Sequence, residues 1–228
     1  MNVKEMCAKQ ALNMIPDHSI IGLGGGSTIG YLTQYIAESN LDVKIVTPSH
    51  KTALNCQKAG LNVVPTWLVD EVEIAFDGCD EVDYQFNALK SGGGIHTNEK
   101  IIASMAKRYV LLVDEEKVYP TLGFDHPVVL EVMKEAYSVV EKKVTALGGN
   151  FQPRIANNKD GVLISDHGNL LIDVTFDKNV DISSLSESLK HIYGIVDVSL
   201  VVGLVSDVIV VKEEKVYRLE KGGIYHEA

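Results

Sequence analysis

The sequence has few cysteines and no long apolar run. Cys7, Cys56 and Cys79 are its three cysteines, and they are scattered without CxxC spacing. They supply neither a disulfide framework nor a zinc pattern. No apolar stretch reaches the ~18 residues that a membrane-spanning helix needs, and residues 1–17 predict an amphipathic helix with both charge signs, unlike a signal peptide. We therefore expect a cytoplasmic protein without a membrane partner.

Basic residues are also scarce. The chain has 21 Lys and Arg against 31 Asp and Glu, for a net charge of −10. Binding to a phosphate backbone needs concentrated Lys and Arg, so the composition argues against a nucleic-acid partner. Residues 70–83, DEVEIAFDGCDEVD, hold seven carboxylates and no basic residue. Such a run usually indicates a solvated loop, but the apolar Val72, Ile74 and Phe76 within it favour carboxylates at the end of a buried strand.

The first half of the chain predicts a parallel sheet. Apolar, β-branched runs alternate there with helical patterns such as TNEKIIASMAKR (97–108), a pattern typical of a sheet covered by helices on both faces. The predicted strands are SIIGLG (19–24), VKIVTP (43–48), LNVVPT (61–66), VEIAFD (72–77) and YVLLVD (109–114).

The pattern changes after about residue 126. PVVLEVM, a helix to about Ala146, FQPRI, VLISDHG, NLLIDVTF, a helix near 183–193 and VDVSLVV follow in turn. This β-α-β-β-α-β order predicts a small ferredoxin-like α+β unit. Residues 207–211 and 216–220 read as strands that return to the first sheet. The predicted fold is α/β, with a Rossmann-like parallel-sheet domain (1–126 plus 203–228) and a smaller ferredoxin-like α+β domain (127–202) inserted before the C-terminal strands.

A glycine-rich motif, GLGGGST, spans residues 22–28 between a predicted strand and a helix. Glycines allow close backbone approach to a ligand, and the start of a helix favours an anion. A dinucleotide fingerprint would need an acidic residue about 20 positions further on, where VKIVTPSH has none. A plain strand-to-helix turn is the competing interpretation, and the hydroxyls could also cap the helix. The Ser-Thr pair favours a phosphate monoester, bound by Gly24, Gly25, Gly26, Ser27 and Thr28.

A second motif, AFDGCDEVD, places two carboxylates at the end of a predicted strand. Ligands of open parallel sheets bind beyond the carboxyl ends of the strands, where Asp77 lies. Asp80 follows three residues later and reaches the same cleft if Gly78 allows a sharp turn. Two such carboxylates can perform acid–base chemistry. A divalent metal site and simple capping stay open as alternatives.

The third motif, LKSGGGIHTNEKIIA, spans residues 89–103. Lys90 precedes the glycines 92–94, so Gly92 and Gly93 predict a second backbone-lined loop, and Thr97 is the expected cap of the helix that follows. Glu99 in the first turn of that helix either compensates the helix dipole or acts as a general base. Removing a proton next to a carbonyl needs a base and a cation for the developing oxyanion, and Glu99 and Lys90 supply that pair.

Two other residues are weaker candidates. His96 has no second histidine at ligand spacing, so we expect it to be incidental. Cys79 stands between Gly78 and Asp80, and neighbouring carboxylates raise the pKa of a thiol, which argues against a nucleophile. The Tyr and Phe residues read as core packing.

Taken together and in order, these motifs resemble type A ribose-5-phosphate isomerases. GLGGGST is similar to the family's GxGTGST loop, DGCDEVD to its DGADE(I/V)D loop, and LKSGGGIHTNEKI to (I/L)KGGGxxLxREKI. The resemblance continues through DEEKVYPTLG (114–123), SDHGNLLID (165–173) and GIVDVSLVVGLVSDVIV (194–210). The differences include Gly25 in place of Thr, Ser91 in place of Gly, and Asn98 in place of Arg; His167 and Ser199 also depart from the common residues.

The resemblance implies an activity and a role for each residue. The activity is interconversion of D-ribose 5-phosphate and D-ribulose 5-phosphate through an enediol. Glu99 would move a proton between C1 and C2, Asp77 would assist ring opening, and Lys90, oriented by Asp80, would stabilise the enediolate oxygen. The residues expected to hold the phosphate or nearby hydroxyls are Ser27, Thr28, Lys4 and Lys117.

The resemblance also implies no metal, no other cofactor, and a homodimer or homotetramer. Gly25 and Asn98 leave open the isomerisation of a different sugar phosphate by the same mechanism. Non-catalytic sensing of a sugar phosphate is a further alternative, because some regulatory domains share this general architecture. Turnover that is lost in Glu99→Gln would exclude a sensor.

Overall fold

The fold is that of a computed structural model, which describes residues 2–158, 160–178 and 180–228. The helices are α1 (Val3–Leu12), α2 (Gly26–Glu38), α3 (His50–Lys58), α4 (His96–Met105), α5 (Tyr137–Ala146) and α6 (Ile182–Lys190). The strands are β1 (Ser19–Leu23), β2 (Val43–Val46), β3 (Asn62–Val63), β4 (Ile74–Asp77), β5 (Glu81–Asp83), β6 (Ala88–Leu89), β7 (Tyr109–Asp114), β8 (Val118–Tyr119), β9 (Val128–Val132), β10 (Asn150–Pro153), β11 (Leu170–Thr175), β12 (Ile195–Val198), β13 (Leu200–Val201), β14 (Asp207–Lys212), β15 (Lys215–Glu220) and β16 (Ile224–Glu227).

Local sequence explains where α1 begins and which face it buries. Asn2 accepts from the N–H of Glu5, whose side chain accepts from the N–H of Asn2, which is a capping box. Cys7, Ala8 and Ala11 form its buried face. Among the described residues, no helix is both long enough and apolar enough to cross a bilayer.

The larger sheet has the order β16-β15-β14-β7-β4-β1-β2-β3. The strands from β14 to β3 in that order are parallel, and β15 and β16 extend the sheet antiparallel. All of β4 and nearly all of β7 are buried, as expected for strands covered by helices on both faces. The predicted parallel sheet is confirmed, and so is the return of the C-terminal strands to it. LNVVPT forms only the short β3.

The segment from β9 to β12 forms a separate four-stranded antiparallel sheet with α5 and α6. Its order, β10-β11-β9-β12, is the arrangement of a ferredoxin-like unit, as predicted. The expected strand at VLISDHG is wrong, because residues 162 and 164 make only isolated bridges before a tight turn at 165–169.

A third sheet, in the order β13-β6-β5-β8, joins the two units and was not predicted. In addition, the N–H of Lys90 donates to the carbonyl of Ser199, and the N–H of Val129 donates to the Ser199 hydroxyl. Leu89 and Leu122 pack into the core of the ferredoxin-like unit. The domain boundaries at 126/127 and 202/203 stay a prediction.

Candidate active site

The carboxyl ends of β1 and β4 meet at one edge of the large sheet, because the two strands are parallel neighbours. A cleft of about 270 Å³ opens at this edge. Its lining residues are Lys4, Gly25, Gly26, Ser27, Thr28, Asp77, Gly78, Cys79, Asp80, Lys90, Gly92, Gly93, Glu99, Leu112 and Lys117. Every predicted site residue except Gly24 therefore lines one cleft, although the three motifs are separated in the chain.

The glycine-rich turn brings backbone close to a carboxylate. A Cβ atom on Gly24 would lie 2.1 Å from Oδ1 of Asp77, so a side chain at position 24 would displace that carboxylate. Gly25 is the N-cap of α2 without a side-chain capping bond, so neither Ser27 nor Thr28 caps the helix. The N-terminus of α2, with its dipole and first N–H groups that have no acceptor within the helix, lies at the cleft beside these two hydroxyls, which suits an anion.

Asp77 is held from several sides. Its Oδ1 lies 2.8 Å from Nζ of Lys90 and accepts from the N–H of Gly78 at 2.8 Å. The hydroxyl of Tyr109 donates to Oδ2 at 3.2 Å. Because these donors fix both oxygens, Asp77 has a defined orientation in the cleft.

Lys90 is a buried ammonium between two carboxylates. Its Nζ lies 2.8 Å from Asp77 and 3.1 Å from Glu99, and it donates to the carbonyl of Gly78. Burial opposes the charge, but Asp77 and Glu99 together raise the pKa of Lys90 above its usual range. The ammonium occupies the space that a cation shared by the two carboxylates would need.

The expected orientation of Lys90 by Asp80 is wrong. Oδ2 of Asp80 instead accepts from the N–H of Gly92 at 2.9 Å, and Asp77 takes the position beside the ammonium. Asp80 therefore acts on the glycine loop that follows Lys90.

Glu99 lies in the first turn of α4 and is 5% exposed. Oε1 contacts Lys90, whereas the buried Oε2 has no hydrogen-bond partner among the described residues. Burial, and then the charge of Asp77, raise the pKa of Glu99 to about 8, although Lys90 acts in the opposite direction. In its deprotonated form, a carboxylate with one unpartnered oxygen and a raised pKa is a stronger base than an exposed glutamate and is suited to accept a carbon-bound proton.

The remaining candidates also have defined positions. Lys4 comes from α1, and Lys117 comes from the short 3₁₀ turn after β7, where its ammonium donates to the carbonyl of Cys79 at 2.8 Å. Burial raises the pKa of Cys79 to about 12, in the direction expected from its sequence context. His96 is fully buried, and burial lowers its pKa to about 4.

Sequence reasoning missed Tyr109 and misassigned Thr97. Tyr109 begins a strand of apolar residues, where an aromatic ring normally indicates packing, so only the parallel pairing of β7 with β4 reveals its hydroxyl beside Asp77. Thr97 does not cap α4, because Ile95 is the N-cap and the Thr97 hydroxyl donates to Glu131.

A larger groove of about 740 Å³ lies on the other side of α4. It is mainly apolar and is lined by residues such as Pro48, Trp67, Ile101 and Met105. Asp77, Lys90 and Glu99 line the smaller cleft and not this groove, so we place the chemistry in the smaller cleft. Among the described residues, no group of three or more His, Cys, Asp or Glu could hold a metal ion.

An anion-binding turn facing a buried acid–base pair defines an enzyme of the α/β class that acts on a phosphorylated small molecule by proton transfer. The profile of the family "Ribose 5-phosphate isomerase A (phosphoriboisomerase A)" matches residues 44–215. Ribose-5-phosphate isomerase A of Prochlorococcus marinus (strain MIT 9211) is 36% identical over 214 residues, which are 91% of this chain and 90% of that protein. The chain belongs to the ribose 5-phosphate isomerase A family.

Solved structures agree with this assignment. Ribose 5-phosphate isomerase A from Methanocaldococcus jannaschii superposes with a TM-score of 0.90 at 33% identity, covering 96% of this chain and 98% of that one. A D-ribose-5-phosphate isomerase in complex with phospho-erythronic acid superposes with a TM-score of 0.91 at 31% identity, covering 96% and 100% of the two chains. Both superpositions therefore cover nearly all of this chain.

Proposed function

We propose that the chain interconverts D-ribose 5-phosphate and D-ribulose 5-phosphate, a reaction of the non-oxidative branch of the pentose phosphate pathway. The observation that carries this proposal is the buried pair of Glu99 and Lys90, in which Oε2 of Glu99 has no partner in the part of the chain that the structure describes. An aldose–ketose isomerase needs a base for a carbon-bound proton and a cation for the oxygen of the adjacent carbonyl. The two residues supply both within one cleft.

In this mechanism Glu99 removes the proton from C2 of the open-chain aldose. The electron pair forms the C1–C2 double bond, and the former carbonyl oxygen on C1 becomes an enediolate oxygen next to Lys90. Glu99 then returns its proton to C1, while the proton of the C2 hydroxyl moves to the oxygen on C1. The product is the ketose with the same atoms, so no oxidant, reductant or cofactor is consumed.

The phosphate is assigned to the turn at the start of α2. Gly25, Gly26, Ser27 and Thr28 line the cleft there, with two hydroxyls and the first N–H groups of α2, and Lys4 and Lys117 add positive charge. The complex of a solved relative with phospho-erythronic acid, an acyclic sugar-acid phosphate, supports a ligand of this kind.

Asp77 and Asp80 have supporting roles in the same cleft. Asp77 holds Lys90 and is placed to assist opening of the furanose ring, as the family resemblance implies. Asp80 accepts a hydrogen bond from the N–H of Gly92, and Gly92 and Gly93 then line the sugar site.

We also propose that the protein is cytoplasmic and forms a homodimer or homotetramer. Sedimentation equilibrium of the purified protein would test the oligomeric state.

The first experiment measures conversion of D-ribose 5-phosphate to the ketose, with wild type and Glu99→Gln side by side. We expect Glu99→Gln to lose turnover by roughly 10³-fold or more, because the amide cannot accept the proton, while it still binds a non-reacting sugar-acid phosphate in calorimetry. The matched control is Glu141→Gln on the exposed face of α5, which keeps wild-type rates. Near-normal turnover in Glu99→Gln would show that another group is the base.

A second measurement tests the metal alternative for Asp77 and Asp80. Because Asp77 is already paired with the ammonium of Lys90 at 2.8 Å and Oδ2 of Asp80 accepts from the N–H of Gly92, activity should survive exhaustive treatment with EDTA. Loss of turnover in EDTA that Mg²⁺ restores would support the metal site instead. A wild-type protein that is folded but inactive on this substrate would refute the proposed function.

A further inference from the structure

Glu131 is a buried carboxylate outside the cleft, on strand β9 of the ferredoxin-like unit, and is 2% exposed. Its Oε1 accepts from the Ser165 hydroxyl at 2.7 Å and from the Asn169 amide at 2.8 Å, and it lies 3.1 Å from Nδ1 of His167. Its Oε2 accepts from the hydroxyl of Thr97. One oxygen is therefore bound by the ferredoxin-like unit and the other by the first turn of α4.

Burying the carboxylate of Glu131 costs free energy unless both of its oxygens are hydrogen-bonded. A buried carboxylate must be hydrogen-bonded to stay charged. Burial raises the pKa of Glu131, but the donors from Asn169, Ser165, Thr97 and His167 outweigh burial and lower the pKa to about 2. The carboxylate is thus an anion that fixes its donors in place and is not a spare acid.

Three of the four donors to Glu131 come from a motif that the reaction does not otherwise use. Residues 165–169 form the tight turn of SDHGN, closed by the hydrogen bond from the N–H of Ser165 to the carbonyl of Asn169. Glu131 connects this turn to Thr97, which lies two residues before Glu99 on α4.

The residue after Glu99 is anchored to the same unit. Lys100 donates to the Asp197 carboxylate at 2.6 Å and to the carbonyl of Val198 at 2.9 Å. Glu99 is therefore flanked on α4 by two connections to the ferredoxin-like unit, one on each side in sequence. The residues proposed to hold the phosphate, Lys4 and 25–28, lie instead on α1 and at the start of α2, outside the ferredoxin-like unit.

We propose that Glu131 is a positioning residue for Glu99, acting through the hydroxyl of Thr97, and that the SDHGN turn serves to hold Glu131 in this position. The inference rests on the proposed function, since it assigns Glu99 as the base. The base and the phosphate site are then positioned by different parts of the molecule. The ferredoxin-like unit determines where the base lies, and the start of α2 determines where the phosphate binds.

The test compares two substitutions at one position. Thr97→Val keeps the size and β-branching but removes the hydroxyl, whereas Thr97→Ser keeps the hydroxyl and removes the methyl group. Because small displacements of a catalytic group are costly, we expect Thr97→Val to lower kcat about 10-fold with KM changed less than about 2-fold. We expect Thr97→Ser to stay near wild type. Glu131→Gln should lower kcat by as much as Thr97→Val or by more, because the NH₂ group of the glutamine must face a hydrogen-bond donor on one side.

The control is Thr33→Val, which removes a buried hydroxyl that donates within α2 to the carbonyl of Ile29. It should leave kcat unchanged. If Thr97→Ser is as impaired as Thr97→Val, or if both keep the wild-type kcat, the positioning role is refuted while wild-type turnover preserves the proposed function. If the wild type itself does not turn over ribose 5-phosphate, the proposed function falls and the positioning role with it. Because the Thr97 pair differs only by small groups, the test holds even if Glu131→Gln does not fold.

Discussion

Gly24 and Gly30 lie within six residues of each other, but only Gly24 approaches a functional side chain. A Cβ atom on Gly24 would lie 2.1 Å from Asp77, whereas a Cβ atom on Gly30 would meet no described residue within 4 Å outside its own helix turn. We expect Gly24→Ala to lower kcat/KM by about 100-fold, because displacing Asp77 also moves Lys90. Gly30→Ala lies in α2 and should keep full activity and gain up to about 1 kcal/mol of stability.

Steady-state kinetics and urea denaturation of the two variants would check this prediction. Equal activity of Gly24→Ala and Gly30→Ala would show that Asp77 tolerates displacement, and would remove its assigned role in holding Lys90.

The pKa of Glu99 makes activity depend on pH. A base acts in its deprotonated form, and burial raises the pKa of Glu99 from an ordinary 4.5 to about 8. Activity should therefore be lost as the pH falls through that value, and kcat/KM should rise between about pH 6 and 9 with a midpoint well above 4.5. A pH–rate profile, with a thermal midpoint at each pH to show that the fold persists, would test this. A flat profile from pH 5 to 9 would contradict the assignment of Glu99 as the base.

Single residues were predictable where a motif determined the local backbone. Asp77, Lys90 and Glu99 could be identified because each stands beside glycines or at a helix start, and the cleft does bring them together. Tyr109 and Glu131 could not be identified, because their partners lie 32 and 34 residues away in the sequence. Long-range pairing, rather than local pattern, decides the function of such polar groups.

At the scale of elements, the contact between α4 and β9 through Thr97 and Glu131 should make the stability of the fold depend on pH in the acidic range. The pKa of Glu131 is lowered to about 2 in the folded protein, against an ordinary value near 4.5. The stabilisation is therefore present above about pH 4.5 and is lost as the pH falls toward 2, by an amount on the order of 2–3 kcal/mol.

Chemical denaturation of the wild type and of Glu131→Gln between pH 3 and 7 would measure this term. We expect the difference in unfolding free energy between the two proteins to shrink as the pH falls. A difference that is constant over this range would show that the carboxylate is not held as an anion.

Elements with a strong period were predictable, and very short ones were not. YVLLVD predicted β7 at its observed bounds, because a run of apolar β-branched residues is typical of a central parallel strand. β6 and β13 have two residues each, which is too short for any hydrophobic period. The sheet that joins the two units therefore had no signal in the sequence.

At the scale of the whole molecule, the two units should unfold together. Leu89 and Leu122 belong to the core of the ferredoxin-like unit, and β13 pairs with β6, so neither unit can open without exposing the other. We expect one calorimetric transition, with a ratio of van't Hoff to calorimetric enthalpy of about 1. Two resolved transitions would show that the units are independent.

The position of β14 has a consequence for synthesis on the ribosome. By the time residue 120 has been added, the chain already contains Asp77, Lys90 and Glu99, and β7 can pair with β4. Its second neighbour in the sheet is still missing, since β14 begins at Asp207. The nascent chain therefore carries an unpaired apolar edge next to the future cleft while nearly ninety more residues are added, which takes roughly 4–17 seconds at about 5–20 residues per second. Because unpaired strand edges in partly folded chains favour aggregation, we expect the nascent chain to need the protection of a chaperone until β14 has been synthesised.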